Sequence, residues 1–308
     1  RTQTELIKPT RSVSVSKKID RRSVLLGAGV ATVASAATVM SPRSFQAAER
    51  PRQPIDFADD MDNVRAYAKL AGTLADDTVH YWYRGTIFGV TPDDTKAMLG
   101  FTGLLKMSWK NLGNGSFHYR NFDLGYFTEP DSDVRIEEFT NPFTGITNRP
   151  IDIKGGPFDV VITPRQYEWT RSGDDIWFSE AKHFKFANKL SPEEWPTAST
   201  GDTLNMLYLD GFNGKVSDLE NPELDSAPSI LGIHHVNPWY PFFLMGQQPG
   251  VNYWHGKGKK IADESDVSPE VMAYVNNKMP EFMSSSAPWV NRTDSYLDYK
   301  THRKPVLE

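Results

Sequence analysis

The sequence predicts a mainly β protein in which an antiparallel meander of strands closes, or nearly closes, into one barrel or into two barrel-like halves. Aromatic residues are abundant, with 17 phenylalanines, 12 tyrosines and 8 tryptophans, and aromatic side chains are enriched in strands. The 22 glycines and 21 prolines supply frequent turns. Alternation of apolar and polar residues with a period of two recurs along most of the chain, which is the pattern of half-buried strands.

Short turn sequences separate the predicted strands, so that consecutive strands are expected to pair as antiparallel neighbours. The turns include Asn111–Gly115, Asn141–Gly145 and Ser172–Asp175. Two further glycine-containing segments are interpreted as turns: Gly211–Lys215 as a hairpin and Gly256–Lys260 as an exposed basic turn. The predicted strands are Val79–Phe88, Ala97–Trp109, Ser116–Phe127, Val134–Phe139, Phe158–Ile162, Gln166–Arg171, Ile176–Ala187, Leu204–Leu209 and Ser229–Val236.

Two segments have the 3.6-residue period of an amphipathic helix. In the first, Asp59–Leu74, apolar residues including Val64 and Ala68 fall on one face. In the second, Pro269–Met283, the preceding Ser268 is expected to cap the first turn. One helix therefore precedes the strands and one follows them, and the second is expected to pack over a face or an end of the barrel.

The first forty residues have the pattern of a twin-arginine export signal. Arg21-Arg22 precedes the uncharged stretch Val24–Met40, and residues 1–36 carry seven basic and two acidic side chains. The stretch is diluted by glycine and falls short of the roughly 20 apolar residues that span a bilayer, which favours a cleaved signal over an anchor or a basic tail. Residues 1–36 are interpreted as the signal peptide, 37–55 as a flexible leader and 56–308 as a single domain.

Export by this route implies the periplasm or the exterior of a bacterial cell, with the twin-arginine machinery as a partner. The chain contains no cysteine, which excludes disulfides, thiolate nucleophiles and cysteine-ligated zinc or iron–sulfur sites. Without residues 1–36, 27 basic and 37 acidic side chains remain. Such an acidic protein is not expected to bind nucleic acid, and no stable membrane span is expected.

The segment 234–255 is the densest cluster of unusual residues. It contains three histidines, two tryptophans, two tyrosines and two phenylalanines within 22 residues. Aromatic walls with a few directed polar groups are typical of a ligand pocket, although a rigid structural loop whose aromatic residues fill the core has the same composition. The candidate ligand-binding residues are Trp239, Tyr240, Tyr253, Trp254 and Asn237.

General acid–base chemistry is the favoured catalytic interpretation, with His234, His235 or His255 as acid or base. Adjacent histidines on a strand point to opposite faces, so at most one of the first two reaches any single site. Tyr119, Arg120 and Asp123 on a predicted strand are candidate partners, although an Asp123–Arg120 pair is also typical of a barrel lining. No metal site is predicted because no specific ligand spacing occurs, and the sequence identifies no cofactor.

Five motifs carry a resemblance to a known family: Asn141–Gly145, His235–Trp239, Met245–Gly250, Trp254–Lys260 and Asn291–Tyr296. They resemble the uncharacterised DUF1838 family, whose bacterial members often carry a twin-arginine signal. This resemblance implies no mechanism, because no settled activity or catalytic residue set comes with it. The hairpin pattern and the aromatic content also resemble calycin-like proteins, which implies a lipocalin-like barrel around a small ligand.

Three functions remain open on the sequence. The first is an exported protein that binds a small apolar or aromatic molecule in a barrel pocket. The second is an enzyme that uses the same pocket for cofactor-free acid–base isomerisation, cyclisation or hydration. The third is a structural or interaction protein of the cell envelope, which would have a filled barrel and a large apolar exterior patch.

Overall fold

The computed structural model describes residues 53–284, which belong to one compact unit. The predicted signal 1–36, the leader up to residue 52 and the Asn291–Tyr296 motif lie outside the described residues. The helices are α1 Asp60–Ala71, α2 Val216–Leu219 and α3 Pro269–Lys278. The strands are β1 Thr78–Val90, β2 Thr95–Gly113, β3 Ser116–Thr128, β4 Phe139–Thr140, β5 Thr147–Asn148, β6 Ile153–Ile162, β7 Thr170–Ser172, β8 Asp175–Ala187, β9 Thr203–Lys215, β10 Ile230–Asn237 and β11 Val251–Ile261.

Nine strands form one antiparallel sheet in the order β6-β3-β2-β1-β11-β10-β9-β8-β7. Each half of this order is a meander, and the two halves join where β1 pairs with β11, with His80 opposite Ile261 and Val90 opposite Val251. The sheet curls into a half-barrel. The predicted mainly β, antiparallel meander with one helix before it and one after it is confirmed. The remaining two strands, β4 and β5, form a separate hairpin.

Some predicted boundaries are wrong. Val134–Phe139 has no strand of its own before Phe139. Of the predicted strand Gln166–Arg171, only Thr170 and Arg171 are paired, in β7. Both Gly211–Lys215 and Gly256–Lys260, interpreted as turns, lie within long strands, β9 and β11. The glycines in these segments allow neighbouring groups to approach the backbone closely, which also occurs inside strands.

The two faces of the sheet bury different residues. The inner face, which carries Tyr81, Leu105 and Phe212, packs against α1 in the larger hydrophobic core. The outer face, which carries Leu104 and Phe122, packs against α3 in a second core. Because side chains alternate along a strand, this assignment fixes the face of every other residue in the regular part of each strand.

Glycines on the inner face make room for aromatic side chains. A Cβ added at Gly103 or Gly125 would lie 2.6 or 2.7 Å from the Tyr83 hydroxyl. A Cβ at Gly85 or Gly256 would meet the Phe101 ring in the same way, at 2.6 and 2.7 Å. Each ring therefore lies flat across two strands that have no side chain beneath it, which brings the Tyr83 hydroxyl towards β3.

Helix α1 is anchored at both ends. Asp59 caps its first turn by accepting hydrogen bonds from the backbone of Met61 and Asp62. At its other end, the buried Lys260 amino group of β11 supplies donors to carbonyl groups that a helix leaves without partners. Lys260 Nζ lies 2.7–3.3 Å from the carbonyl oxygens of Lys69, Leu70, Gly72 and Ala227 and from Ser226 Oγ.

Helix α3 covers part of the outer face. Ser268 caps it, as predicted, by accepting a hydrogen bond from the Val271 backbone. Val271 and Val275 are fully buried against the sheet. Among residues 53–284, no helix has the length and apolar character needed to cross a membrane.

Candidate functional site

A group of polar side chains lies on the inner face of the sheet. Tyr119 and Asp123 come from β3, Lys182 from β8, Asp210 from β9 and His235 from β10. We call these five residues the inner polar cluster. In the sheet, β3 is separated from β9 by four strands, yet Asp123 interacts electrostatically with Asp210, and Tyr119 with both Lys182 and Asp210. The curl of the sheet therefore brings the two walls of the half-barrel face to face.

Asp210 and His235 form the shortest polar contact in this cluster. Asp210 Oδ1 lies 2.8 Å from His235 Nε2. Burial alone would raise the pKa of Asp210, but the hydrogen bond and charge of His235, together with the charge of Lys182, outweigh it and hold the pKa below its ordinary value. Because an ionised carboxylate only accepts hydrogen bonds, Nε2 must be the donor. In the neutral imidazole the proton acceptor is then Nδ1.

Tyr208 fixes the orientation of the His235 ring. The two residues are directly opposite each other in the β9–β10 register, and their rings stack with centroids 3.8 Å apart and planes 10° apart. The imidazole is thus held in place by stacking on one side and by the Asp210 hydrogen bond at one edge. A histidine held in this way is preorganised to accept or donate a proton.

Asp123 has the opposite electrostatic environment. Burial raises its pKa to about 7, and the negative charge of Asp210 adds to this effect. The Tyr83 hydroxyl lies close enough to interact electrostatically with the Asp123 carboxyl group. Burial of the Tyr83 side chain and the charge of Asp123 both raise the pKa of Tyr83. Asp123 is therefore about half protonated at pH 7 and can donate a proton, whereas Asp210 is ionised.

Tyr119 and Lys182 complete the cluster. Burial raises the pKa of Tyr119, although the charge of Lys182 and contact with Tyr67 of α1 oppose it. Burial works to lower the pKa of Lys182, but Tyr119, Asp210 and Glu180 together keep it above its ordinary value. The lysine is thus a permanent cation that balances the carboxylates, and the tyrosine is a neutral hydrogen-bond donor at neutral pH.

The cluster is deep in the protein but not sealed. The side chains of His235 and Asp210 remain 19% and 23% exposed, and Glu180, beside Lys182, remains 20% exposed. These groups are surrounded by protein atoms and still face free space on the inner side of the sheet. A small molecule in that space would contact the charged groups directly.

Aromatic residues bound the site on the side away from α1. Trp254 lies next to His235 in the β10–β11 register, and its ring centroid is 4.5 Å from that of Phe101. Tyr240, in the segment after β10, packs against Trp254 at 5.7 Å. These contacts join part of the 234–255 segment to the inner polar cluster and supply an apolar wall.

Asn237 and Trp239 lie near the end of β10 but point into the core. Asn237 is 1% exposed, and neither polar atom of its amide has a hydrogen-bond partner among residues 53–284. Trp239 is 2% exposed and donates its Nε1 hydrogen to the Gln248 carbonyl at 2.9 Å. Asn237 is thus a buried group of the strand end, whereas Trp239, although also buried, is among the residues that line a pocket at this end of the sheet.

A pocket of about 620 Å³ lies at this end of the sheet and does not contain the inner polar cluster. His183, Leu207 and Val236, which line it, belong to the outer face, and no carboxylate or lysine is among the lining residues. Size therefore favours this pocket, whereas chemistry favours the inner cluster. We take the inner cluster as the candidate catalytic site, because proton transfer needs groups of suitable pKa rather than volume alone.

The predicted catalytic residues divide between the two faces. His235, Asp123 and Tyr119 meet on the inner face, as described above. Arg120 does not join them: it lies on the outer face, where its Nε and Nη2 atoms bind both carboxylate oxygens of Asp159 at 2.7 and 2.9 Å. Alternation along β3 explains this division, since Arg120 directly follows Tyr119.

His234, His255 and Tyr253 also lie together on the outer face. His234 is opposite His255 in the β10–β11 register. Its Nδ1 atom is 2.9 Å from the Tyr253 hydroxyl and 3.3 Å from His255 Nδ1. The structure therefore confirms that His234 and His235 point to opposite faces, and it places Tyr253 away from the inner cluster.

Sequence reasoning missed Lys182, Tyr208 and Asp210. The predicted strand ended at Leu209, so that the next residue was never placed on a face. The available signal was the alternation of Tyr208, Asp210 and Phe212 along β9, matched by Glu180 and Lys182 along β8. Within residues 53–284, no group of three or more His, Asp or Glu residues is arranged to hold a metal ion.

Comparison with known proteins identifies the family. Residues 76–303 match the family described as "Protein of unknown function (DUF1838)". The chain belongs to the DUF1838 family. The match covers every strand of the sheet and α3, so that the inner polar cluster lies wholly within the family region. No curated protein matches the sequence significantly.

Proposed function

We propose that this DUF1838 protein binds a small, largely apolar or aromatic molecule on the inner face and transfers protons within it. The reaction is an acid–base isomerisation, cyclisation or hydration. The observation that carries this proposal is that Asp123 and Asp210, on facing walls, have pKa values displaced in opposite directions, upwards for Asp123 and downwards for Asp210. Two titratable groups whose surroundings drive their pKa values apart are the usual acid and base of such a site.

The geometry supports a division of roles. His235 Nδ1 accepts a proton from the substrate, and the resulting imidazolium is stabilised by the ionised Asp210 that it already contacts at 2.8 Å. Asp123 donates its proton to an oxygen of the substrate where negative charge develops. Tyr83 and Tyr119, neutral donors at this pH, orient that oxygen. Proton exchange with water then restores both groups.

Solvent deuterium exchange tests the proposal without knowledge of the natural substrate. The full chain is incubated in D2O with a panel of planar aromatic ketones and enones, and incorporation of deuterium at carbon is followed by NMR. Wild type is expected to catalyse exchange for at least one compound, and Asp123→Asn, Asp210→Asn and His235→Ala are each expected to lower the rate by about 100-fold or more.

Asp159→Asn is the matched control, because Asp159 is a carboxylate of the neighbouring strand on the outer face. Its exchange rate is expected to equal that of wild type. Compounds that bind at the inner face without exchanging would contradict catalysis. They would instead favour a carrier protein, which the aromatic wall of Trp254 and Phe101 also suits.

We also propose that the protein is exported through the twin-arginine route to the periplasm or beyond. The support is the Arg21-Arg22 pair with the uncharged stretch that follows it. Fractionation of bacterial cells that express the full chain tests this. Wild type is expected in the periplasmic or extracellular fraction, and replacement of both arginines by lysine is expected to retain the protein in the cytoplasm. Equal export of both forms would contradict the proposal.

A further inference from the structure

The three outer-face residues His234, Tyr253 and His255 have a geometry that their role in the fold does not require. We call them the outer triad. They belong to β10 and β11, two strands inside the sheet, and the register places the two histidines directly opposite each other. Paired strands on both sides hold the backbone at this position, so that the distances between the three side chains are set by the sheet.

The polar atoms of the outer triad converge on a small volume. His234 Nδ1 lies 3.3 Å from His255 Nδ1 and 2.9 Å from the Tyr253 hydroxyl. The three ring centroids are 5.1, 6.3 and 6.3 Å apart. Two ligand atoms that are each about 2.0–2.1 Å from one metal ion are about 2.8–3.4 Å apart at angles between 90° and 110°. Both observed distances fall in this range.

Without an ion, the close approach of the two histidines is unfavourable in the charged state. A neutral imidazole nitrogen has one lone pair, so that His234 Nδ1 can accept only one of the two hydrogens that the Tyr253 hydroxyl and His255 Nδ1 could offer. A cation that replaces these two protons would be held by two imidazole nitrogens and one phenolate oxygen.

We propose that the outer triad is a copper(II) site. Imidazole ligands suit copper, and Cu²⁺ binds a given set of nitrogen and oxygen ligands more tightly than the other divalent ions of the first row. The phenolate supplies the negative charge that two neutral imidazoles lack. His255 is exposed, which leaves room for water at the remaining positions. Lys257, two residues later on the same face, is the charge that opposes binding.

This site is separate from the proposed catalytic function. It lies on the opposite face of β10 from His235, so that variants of the outer triad leave the inner polar cluster intact. Failure of deuterium exchange at the inner face would therefore leave copper binding unaffected, and loss of copper binding would leave exchange unaffected.

Titration of the chelator-treated full chain with Cu²⁺, followed by calorimetry and electron paramagnetic resonance, tests the proposal. We expect one Cu²⁺ per chain with hyperfine coupling to two nitrogens. His234→Ala and His255→Gln should each lower the affinity by at least about tenfold. Tyr253→Phe should abolish the phenolate-to-copper charge-transfer absorption while the nitrogen coupling remains.

His183→Ala is the control, because His183 is also on the outer face but is bound to Asn205, 2.6 Å away. Its Cu²⁺ affinity should equal that of wild type. Unchanged affinity in the His234→Ala/His255→Gln double variant would overturn the proposal. His255→Gln alone keeps the test valid if the double variant does not fold, since an exposed side chain contributes little to stability.

Discussion

Consecutive residues on β10 and β11 have sharply different surroundings on the two faces of the sheet. His235 faces the inner space and binds Asp210, whereas His234 faces outwards and meets Tyr253 and His255. Lys260 is buried among carbonyl groups, whereas Lys259 is exposed beside Asp266. Histidine and lysine therefore have different roles at consecutive positions, because consecutive side chains of a strand point to opposite faces. Substitutions on the two faces measure this difference.

The largest expected effect is on Lys260. Lys260→Met leaves the end of α1 and the 226–227 segment without their shared donor, and each unpaired buried acceptor costs about 1–3 kcal/mol. We expect the free energy of unfolding to fall by at least about 3 kcal/mol. Lys259→Met removes only an exposed ion pair and should leave it nearly unchanged. Urea denaturation measures the free energy of unfolding of both variants. Equal losses would contradict the difference between the inner and outer faces.

Glycine positions sharpen the comparison. A Cβ at Gly103 of the inner face would lie 2.6 Å from the Tyr83 hydroxyl and 2.4 Å from the Leu124 carbonyl oxygen, whereas one at Gly232 of the outer face meets nothing closer than 3.7 Å. Gly103→Ala should destabilise the protein by about 1–3 kcal/mol. Gly232→Ala should change stability by less than about 0.5 kcal/mol. Chemical denaturation of the two variants decides whether the inner face is the tightly packed one.

The pH dependence of stability tests Asp123. Its pKa of about 7 in the folded protein lies above the ordinary 3.8, so that the folded state binds more protons than the unfolded state between these values. Stability from this residue is full below about pH 4 and is lost as the pH rises to about 7. Asp123→Asn should remove this loss and raise the free energy of unfolding by about 1–2 kcal/mol at pH 8. The gain is limited to this size because the side chain keeps some contact with solvent. Thermal unfolding across pH 4–8 measures it, and an unchanged profile would place the carboxyl in an ordinary environment.

His80, on the outer face, should give the opposite slope. Burial lowers its pKa from 6.5 to about 4, with the charge of Lys106 as a further cause. The unfolded state then binds more protons, and stability is lost as the pH falls from about 6.5 to about 4. His80→Leu should flatten the acid side of the profile, whereas at pH 8 it removes only an uncharged side chain and its hydrogen bond to the Phe282 backbone. If the variant still loses stability as the pH falls, the loss must come from another residue.

Part of this site follows from strand alternation in the sequence. Alternation alone predicts that His234 and His235 separate and that Tyr119 and Asp123 share a face. The same rule places Arg120 on the other face, and the structure confirms its separation. Composition also identifies the 234–255 segment, from which His235 and Trp254 reach the inner side.

Strand β11 shows why the other residues were missed. Its glycines alternate with lysines, a pattern that resembles a basic turn. In the folded protein Gly256 makes room for the Phe101 ring, and the exposed Lys257 and Lys259 lie on the outer face. Gly211 of β9 lies near the Phe178 carbonyl oxygen. In the sequence it also indicated a turn, so that the predicted strand ended before Asp210. A glycine that serves close packing cannot be distinguished from one that serves a turn until its neighbours are known.

The sequence by itself determined the residue types, the alternation that sorts them onto two faces, the two helices and the resemblance to the DUF1838 family. Only the tertiary structure decided that Asp123 faces Asp210. Their electrostatic interaction depends on the pairing of β1 with β11, about 170 positions apart in the chain, and on the curl of the sheet. Local sequence patterns report the face of a strand, whereas non-local pairing and curvature decide which faces meet.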